Sequence, residues 1–265
     1  MKLGMSGGAL IAVNPSYIRR YPQIPDIQRV IRDSDSLERE TAIDLENVPK
    51  LDLPQCYPSK IMCLAKNYAA HAKEMGVQPK DLPKLPSVFL KPPSALVGSG
   101  ENIIIPPQTQ EVHHEVELAV IIGRRGKNIP VGAAMEYLFG YSILLDITAR
   151  DLQSAAKHAG RPWFASKGFD TFAPMGPMIV TTEDILDPHN LDLELKVNGV
   201  IKQSGNTRDM IFKISEIIHF CSTISTLEPG DVIATGTPEG VGEFQRGDQI
   251  EARISSIGVL QVGVV

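Results

Sequence analysis

Glu115 and Glu117 stand two residues apart in the run Glu115-Val116-Glu117-Leu118-Ala119-Val120-Ile121-Ile122-Gly123. Valine, isoleucine and leucine at this density, closed by glycine, predict a β-strand over 115–123. Alternate side chains on a strand share a face, so both carboxylates point the same way, with Cα atoms roughly 6–7 Å apart. Two unpaired carboxylates on one face repel each other. A divalent cation between them removes the repulsion, and carboxylate oxygens suit hard ions such as Mg²⁺, Mn²⁺ or Ca²⁺. The same alternation also describes an edge or amphipathic strand whose glutamates face water.

A third acid lies nearby in sequence. Tyr141-Ser142-Ile143-Leu144-Leu145-Asp146 reads as a second buried strand that ends in Asp146. Thr148-Ala149-Arg150-Asp151 has the form of an N-cap with an acid three residues on, and predicts a helix start at Thr148. Asp146 is then either a site residue at a strand end or a turn aspartate. Lys167, between small residues in Ser166-Lys167-Gly168, either serves a substrate carboxylate or is a solvated loop lysine. His71 and Glu74 are three apart and share a face on a helical turn. Such a carboxylate fixes the imidazole tautomer and raises its basicity, as a general base acting on water requires; a surface His–Glu pair gives the same spacing. The stretch 229–242, PGDVIATGTPEGVG, reads as a strand running into a glycine-rich loop that can cradle an anion or carbonyl, or is an ordinary turn. It lacks the Gly-Lys-Ser/Thr ending of a P-loop and the GxGxxG dinucleotide pattern.

Seven segments occur in order: NYAAHAKEMG, PSVFLKPPSALVGSG, HEVELAVIIG, LLDITARDLQ, SKGFDTFAPMGPMI, VNGVIKQSGNTRDMIF and LEPGDVIATGTPEGVG. Together, over residues 60–265, they resemble the fumarylacetoacetate hydrolase family. The resemblance implies a metal held by Glu115, Glu117 and Asp146. It implies a catalytic His71–Glu74 dyad in a mobile lid, a catalytic Lys167, and Gln153, Arg150 and Thr237 as substrate contacts. It also implies the family's own β-rich fold, usually as a homodimer. Classical members place a fourth metal carboxylate seven residues before the lid histidine, where this chain has Leu64. The chain is therefore similar to the three-carboxylate branch, which includes acylpyruvases, oxaloacetate decarboxylases and isomerases of homoprotocatechuate breakdown.

Several elements must position these residues. Strands are predicted at 60–65, 87–91, 115–123, 140–146, 176–182, 191–198, 231–235, 248–254 and 259–264, with Asn198-Gly199 as a hairpin turn. Helices are predicted at 68–75, 132–138, 149–158 and 212–225; in the last, Ile211, Ile214, Ile217, Ile218 and Cys221 follow helical spacing and read as core. Strands outnumber helices and do not alternate with them, so the fold class is α+β, mainly β: a mixed β-roll with peripheral helices. Charge and proline punctuation set residues 1–56 apart as a small N-terminal domain, with a connector near Pro54–Pro58, before a catalytic domain at 57–265. His113 and His114 read as a turn before the glutamate strand, with His113 on the Glu115 face. His158, His189 and His219 read as helix-end, loop and core residues. Trp163 lines the pocket or packs.

Composition narrows the function further. A net charge of −5 without a basic run argues against nucleic acid as a partner. No segment approaches 18 uninterrupted apolar residues, which argues against a membrane span. The N-terminal stretch is too short and weak for a signal peptide. Cys56, Cys63 and Cys221 are odd in number and fit no zinc spacing, which suggests a reducing, cytoplasmic setting. The expected activity is divalent-metal-dependent hydrolysis of a C–C bond in 2,4-dioxo acids of the acylpyruvate type, through a metal-stabilised enolate. The partner is then a small 2-oxo acid. Alternatives are oxaloacetate decarboxylation, isomerisation of 2-hydroxyhepta-2,4-diene-1,7-dioate or 5-carboxymethyl-2-hydroxymuconate, and non-catalytic binding of a metal or small acid.

Overall fold

The computed structural model describes residues 2–6, 9–14, 17–21 and 58–265. Its strands are β1 (Lys2–Ser6), β2 (Ala9–Asn14), β3 (Tyr17–Tyr21), β4 (Ile61–Ala65), β5 (Ser87–Lys91) and β6 (Leu96–Val97). There follow β7 (Asn102–Ile103), β8 (Val112–His114), β9 (Val116–Ile122), β10 (Leu138–Leu145), β11 (Thr148–Ala149) and β12 (Ala173–Thr181). The chain closes with β13 (Asp192–Val197), β14 (Val200–Asn206), β15 (Val232–Ala234), β16 (Gly242–Glu243), β17 (Gln249–Ile254) and β18 (Gly258–Val264). The α-helices are α1 (Ala69–Glu74), α2 (Arg150–His158), α3 (Phe164–Lys167) and α4 (Ile214–Ile224).

The expected α+β, mainly-β architecture is present. A ten-stranded mixed sheet has the order β3-β2-β1-β12-β10-β9-β15-β4-β5, with β6 on β12. A five-stranded sheet, β14-β13-β17-β18-β7, packs against it, and β11-β8-β16 form a third, small sheet. The expected division at residue 56 falls outside the described residues, as does most of the expected connector. The described N-terminal strands join the large sheet through antiparallel pairing of β1 with β12.

β9 organises the molecule. It lies between β10 and β15, and all seven of its residues are buried. Val116, Leu118, Val120 and Ile122 join one core with Leu193, Leu195, Ile250, Ala252 and Leu260 of the five-stranded sheet. Ala119 and Ile121, on the opposite face, join a second core with Ile61, Cys63, Leu144, Met175 and Ala234. Each such aliphatic side chain contributes roughly 1.5–3 kcal/mol on burial, enough to hold the strand while it carries charged groups at one end. Lys91 shows how far the large sheet curls. It lies on β5, four strands from β10, about 19 Å along a flat sheet. Its ammonium nevertheless reaches 2.9 Å from Asp146 at the end of β10, so the sheet is rolled around the second core.

The remaining elements follow local chemistry, with corrections. Asn198 (φ 51°) and Gly199 (φ 78°) are both left-handed and close the β13–β14 hairpin, as the Asn-Gly pair predicts. In α4, Ile214, Ile217, Ile218 and Cys221 are buried, and Ile211, which lies before the helix and not in its stripe, is partly so; Glu216 accepts from the Lys213 N–H at its start. The helix expected at 132–138 is instead 3-10, Val131–Tyr137, because Val-Gly gives the α form little support. The strand expected at 115–123 begins at Val116, after a break at Glu115 that separates it from β8. The helix after Asp146 starts at Arg150 with Ala149 as N-cap and no capping side chain. The expected Thr148 cap is absent because its hydroxyl donates to Glu115 Oε1 (3.3 Å) and the Asp146 carbonyl (3.1 Å).

Candidate active site

The register of β9 and β10 assembles three carboxylates. Leu144 pairs with Glu117 and Leu145 with Val116. Asp146 continues this register, its N–H donating to the Glu115 carbonyl at 2.9 Å. Paired residues share a face, so Glu115, Glu117 and Asp146 converge on one side of the rolled sheet. One oxygen from each lies within 4.8 Å of the others, and all three residues are buried. A water-facing edge strand is thus excluded for the two glutamates.

Cations surround the cluster. Lys167 is 2% exposed; its Nζ lies 2.6 Å from Asp146 Oδ2 and 3.0 Å from Glu115 Oε2. It is no solvated loop lysine. The four-residue helix α3, too short to announce itself by periodicity, delivers it. Arg150, on the first turn of α2, ion-pairs with Glu115 Oε1 through Nη2 and donates through Nη1 to Gln153 Oε1 at 2.6 Å. Its Nε donates to His113 Nδ1 (3.2 Å), and His113 Nε2 contacts Glu111 Oε1 (2.9 Å). His113 therefore orients Arg150 from β8 and does not sit in a surface turn. Burial works against a charged Glu115, but Lys167 and Arg150 outweigh it and hold its carboxyl far below the usual range. Burial, then the charges of Asp146 and Glu115, push Glu117 well above it. Burial opposes a charged Lys167, but Asp146 and Glu115 raise its pKa.

Lys91 went unrecognised as a site residue in the sequence. It is 1% exposed and donates to the carbonyls of Ile147 (2.9 Å), Lys167 (2.6 Å) and Phe172 (2.8 Å). Those bonds use all three ammonium protons. Asp146 Oδ1, only 2.9 Å away, is thus ion-paired but accepts no hydrogen bond. Burial is the main influence on Lys91 and lowers its pKa. The signal was present: a lysine amid apolar and proline residues in SVFLKPPS is not a solvated pattern.

The dyad and the glycine-rich loop close the site from above. His71 Nδ1 and Glu74 Oε2 are 3.0 Å apart on α1. The carboxylate accepts a hydrogen bond from Nδ1–H, which fixes the tautomer and leaves the Nε2 lone pair free to act as base. Glu74 Oε1 accepts from the Gly240 N–H at 3.1 Å, which ties α1 to the loop. The loop cradles a protein carboxylate: the Gly236 N–H donates to Glu117 Oε2 at 2.7 Å. Gly236 is left-handed (φ 93°), and a Cβ there would meet Asn67 Cβ at 2.7 Å, so the turn needs glycine. The Thr237 hydroxyl donates to the Val116 carbonyl (2.8 Å) and accepts from Gln203 Nε2 (2.8 Å). Gln203 Oε1 accepts from the Val116 N–H (3.0 Å) and lies 3.1 Å from His114 Nδ1. Burial lowers His114 to about 4, so its neutral ring donates through Nδ1. Gln203 and His114, buried behind Glu115, were missed as a brace because their spacing in sequence gives no hint of contact.

A narrow cleft brings together His71, Glu115, Glu117, Arg150, Gln153, Lys167 and Thr237, with Leu64 and Trp163 also in its wall. Every site residue expected from sequence except Glu74 and Asp146 lines it. Glu74 lies behind His71, and Asp146 lies behind Lys167. The donor set fits a divalent ion. Three buried carboxylates face one point, Asp146 Oδ1 lacks a hydrogen-bond donor, and Glu117 is disfavoured as an anion without a further cation.

A rolled β-fold with a buried carboxylate triad beneath a His–Glu dyad defines a metal-site enzyme class. Residues 60–265 match the family model described as fumarylacetoacetate (FAA) hydrolase C-terminal, and the chain belongs to this family. It is 47% identical over 206 residues (78% of this chain, 91% of the relative) to the mitochondrial oxaloacetate tautomerase FAHD1 of Arabidopsis thaliana. The fumarylpyruvate hydrolase of Pseudomonas aeruginosa, solved with Mn²⁺ and pyruvate, is 38% identical with a TM-score of 0.74, covering 78% of this chain and 89% of that one. The maleylpyruvate hydrolase of Sphingobium sp. SYK-6, solved with manganese and pyruvate, is 36% identical with a TM-score of 0.79, covering 100% and 99%. Members of this kind are hydrolases, tautomerases and isomerases, and the chain is an enzyme.

Proposed function

We propose that the protein hydrolyses the C–C bond of a 2,4-dioxo acid, releasing a carboxylic acid and pyruvate. The observation that most supports this reading is that His71, backed by Glu74, lines the same cleft as Glu115 and Glu117, two of the three clustered carboxylates. Glu115, Glu117 and Asp146 hold Mg²⁺ or Mn²⁺, which supplies Lewis acidity toward the 2-oxo acid oxygens. Arg150 and Gln153 orient the substrate, and Thr237 contacts it from the loop. His71 Nε2 takes a proton from a water, whose oxygen attacks the distal carbonyl carbon. As the C–C bond breaks, its electron pair passes to the pyruvate enolate. Lys167 offsets the negative charge there. The proton held by His71 returns to the enolate carbon, so one water is consumed and the base is regenerated. A homodimer and a cytoplasmic setting belong to the same reading.

A second reading is favoured by the relatives named oxaloacetate tautomerases. In it the dyad only moves a proton between carbon and oxygen of oxaloacetate, and no C–C bond breaks. The metal-loaded protein should be assayed on acetylpyruvate for pyruvate release, and on enol-oxaloacetate for loss of the enol absorbance with and without CO₂ release. Pyruvate release from acetylpyruvate supports hydrolysis. Enol loss alone replaces it with the proton shift.

A further inference from the structure

Two lysines at the mouth of the cleft have no role in the chemistry above. Lys66 and Lys157 both line the cleft, together with Trp163. Lys66, Ala65 and Trp163 also line an outer cavity of about 530 Å³ that continues toward the lid residues Gly76, Val77, Gln78 and Pro83. The inner cleft and the outer cavity therefore meet at Lys66 and Trp163. Among the described residues neither lysine forms an ion pair. Lys157 instead lies with Nζ 5.3 Å from the centre of the Trp163 ring. Asp81 lines the outer cavity from the lid side but is not paired with Lys66.

The backbone around Lys66 makes the arrangement more specific. Lys66 has φ 60°, a left-handed conformation that costs a non-glycine residue about 1 kcal/mol or more. Its neighbour Asn67 fixes this bend with a fully buried side chain. Asn67 Nδ2 donates to the carbonyls of Thr235 (2.7 Å) and Phe212 (3.1 Å), and its Oδ1 accepts from the Phe212 N–H (2.7 Å). A rigid bend thus holds a lysine at the rim. Burial lowers the pKa of Lys157, and the nearby positive charges of Arg150 and Lys66 lower it further. Lys66 and Lys157 act on each other as like charges, and Glu115, the anion that acts on Lys157 from within the cleft, is already ion-paired with Arg150 and Lys167.

We propose that Lys66 and Lys157 form an anion subsite for a second carboxylate, at the end of the 2-oxo acid remote from the metal ligands. This rests on the reading of the cleft as a 2-oxo acid site. It names the substrate class as dianionic: the 2-oxo acid end lies among Arg150, Gln153 and the carboxylate triad, and the distal carboxylate lies between the two lysines beside Trp163. A neutral acyl group leaves both lysines unpaired, and the distal carboxylate of a dianion relieves their repulsion with charge-assisted hydrogen bonds.

Trp163 is the single tryptophan of the chain and stands at the subsite, so its fluorescence reports binding. The Mg²⁺-loaded full chain is titrated with 2-oxoglutarate and with 2-oxopentanoate, which differ at the distal carboxylate. The readout is the ratio of the two Kd values. We expect wild type to favour 2-oxoglutarate by about tenfold to a hundredfold, the effect of one or two charge-assisted contacts. Lys157→Met and Lys66→Asn, the latter chosen because asparagine accepts a left-handed backbone, each lower the ratio by about tenfold. Lys157→Arg restores it. Equal binding of both acids by wild type overturns the subsite while leaving the 2-oxo acid reading intact. A ratio unchanged in the Lys66→Asn/Lys157→Met protein also overturns it. Binding of neither acid overturns the underlying reading and the subsite with it.

Discussion

Lys91 Nζ lies 2.9 Å from Asp146 Oδ1 yet spends its three protons on the carbonyls of Ile147, Lys167 and Phe172. The lysine thus fixes the backbone beside the site and lends Asp146 its charge, while the carboxylate oxygen remains free to accept a ligand. Replacing it by methionine leaves three carbonyls unpaired in the interior and Asp146 with Lys167 as its remaining cation. Lys91→Met should destabilise the metal-free protein by roughly 3–5 kcal/mol, the cost of breaking a buried pair. Urea unfolding measures it, and a loss below about 1 kcal/mol would show that the ammonium is replaceable.

His71→Ala should lower acetylpyruvate cleavage on the order of 10²–10⁴-fold, the size of a general-base contribution. Oxaloacetate decarboxylation needs no attacking water and should fall less. Steady-state kinetics on both substrates decide it. Unchanged acetylpyruvate hydrolysis in His71→Ala would remove His71 as the base even with the substrate correct.

The segment from about 66 to 86 carries the dyad on a two-turn helix and is tied to the loop chiefly through Glu74 and Asn67. Bound oxalate should order it. Amide hydrogen exchange in residues 70–86 should slow by at least about tenfold with oxalate and Mg²⁺. Equal exchange in both states contradicts a moving lid.

Asp151 anchors the first turn of α2, which carries Arg150 and Gln153. It accepts from Thr109 Oγ1 (2.5 Å), the Gln110 N–H (2.9 Å) and the Leu152 N–H (2.8 Å). Partial burial opposes the charged form, but these hydrogen bonds prevail and lower its pKa. A lowered carboxylate pKa contributes stability above the unfolded value near 3.9, and that contribution is lost as pH falls through the folded value. Asp151→Asn should therefore cost about 1 kcal/mol at pH 7, and its stability should converge with wild type as pH falls below the unfolded carboxylate value and through the lowered folded one. A gap between the two that stays constant from pH 7 to pH 3 contradicts the assignment.

Much of this was legible in the chain because strand periodicity places residues of equal parity on one face. That rule put Glu115 and Glu117 together; Asp146 joined them in the sequence only through the family resemblance, and the antiparallel pairing of β9 with β10 brings it there in the structure. The Asn198-Gly199 turn and the α4 stripe were legible for equally local reasons. The Thr148 cap was misread because a hydroxyl's preference for a helix N-terminus gave way to a buried carboxylate that needed a donor. Lys91, Gln203 and His114 act through contacts made by the rolling of the sheet, which no local pattern encodes. The glycine-rich loop reads from sequence as either a cradle or an ordinary turn, and its occupant, Glu117, follows only from the β9–β15 pairing.

The central claim is that Glu115, Glu117 and Asp146 hold one divalent ion on which turnover depends. A titration of metal-free protein with Mn²⁺, followed by water-proton relaxation and run beside an acetylpyruvate and oxaloacetate assay, tests it most directly. Wild type should bind one Mn²⁺ per chain at this site, with turnover rising in step with occupancy. Glu117→Gln should weaken binding on the order of 10²-fold or more and lose turnover with it. Full turnover by a demonstrably metal-free Glu117→Ala protein would contradict the account.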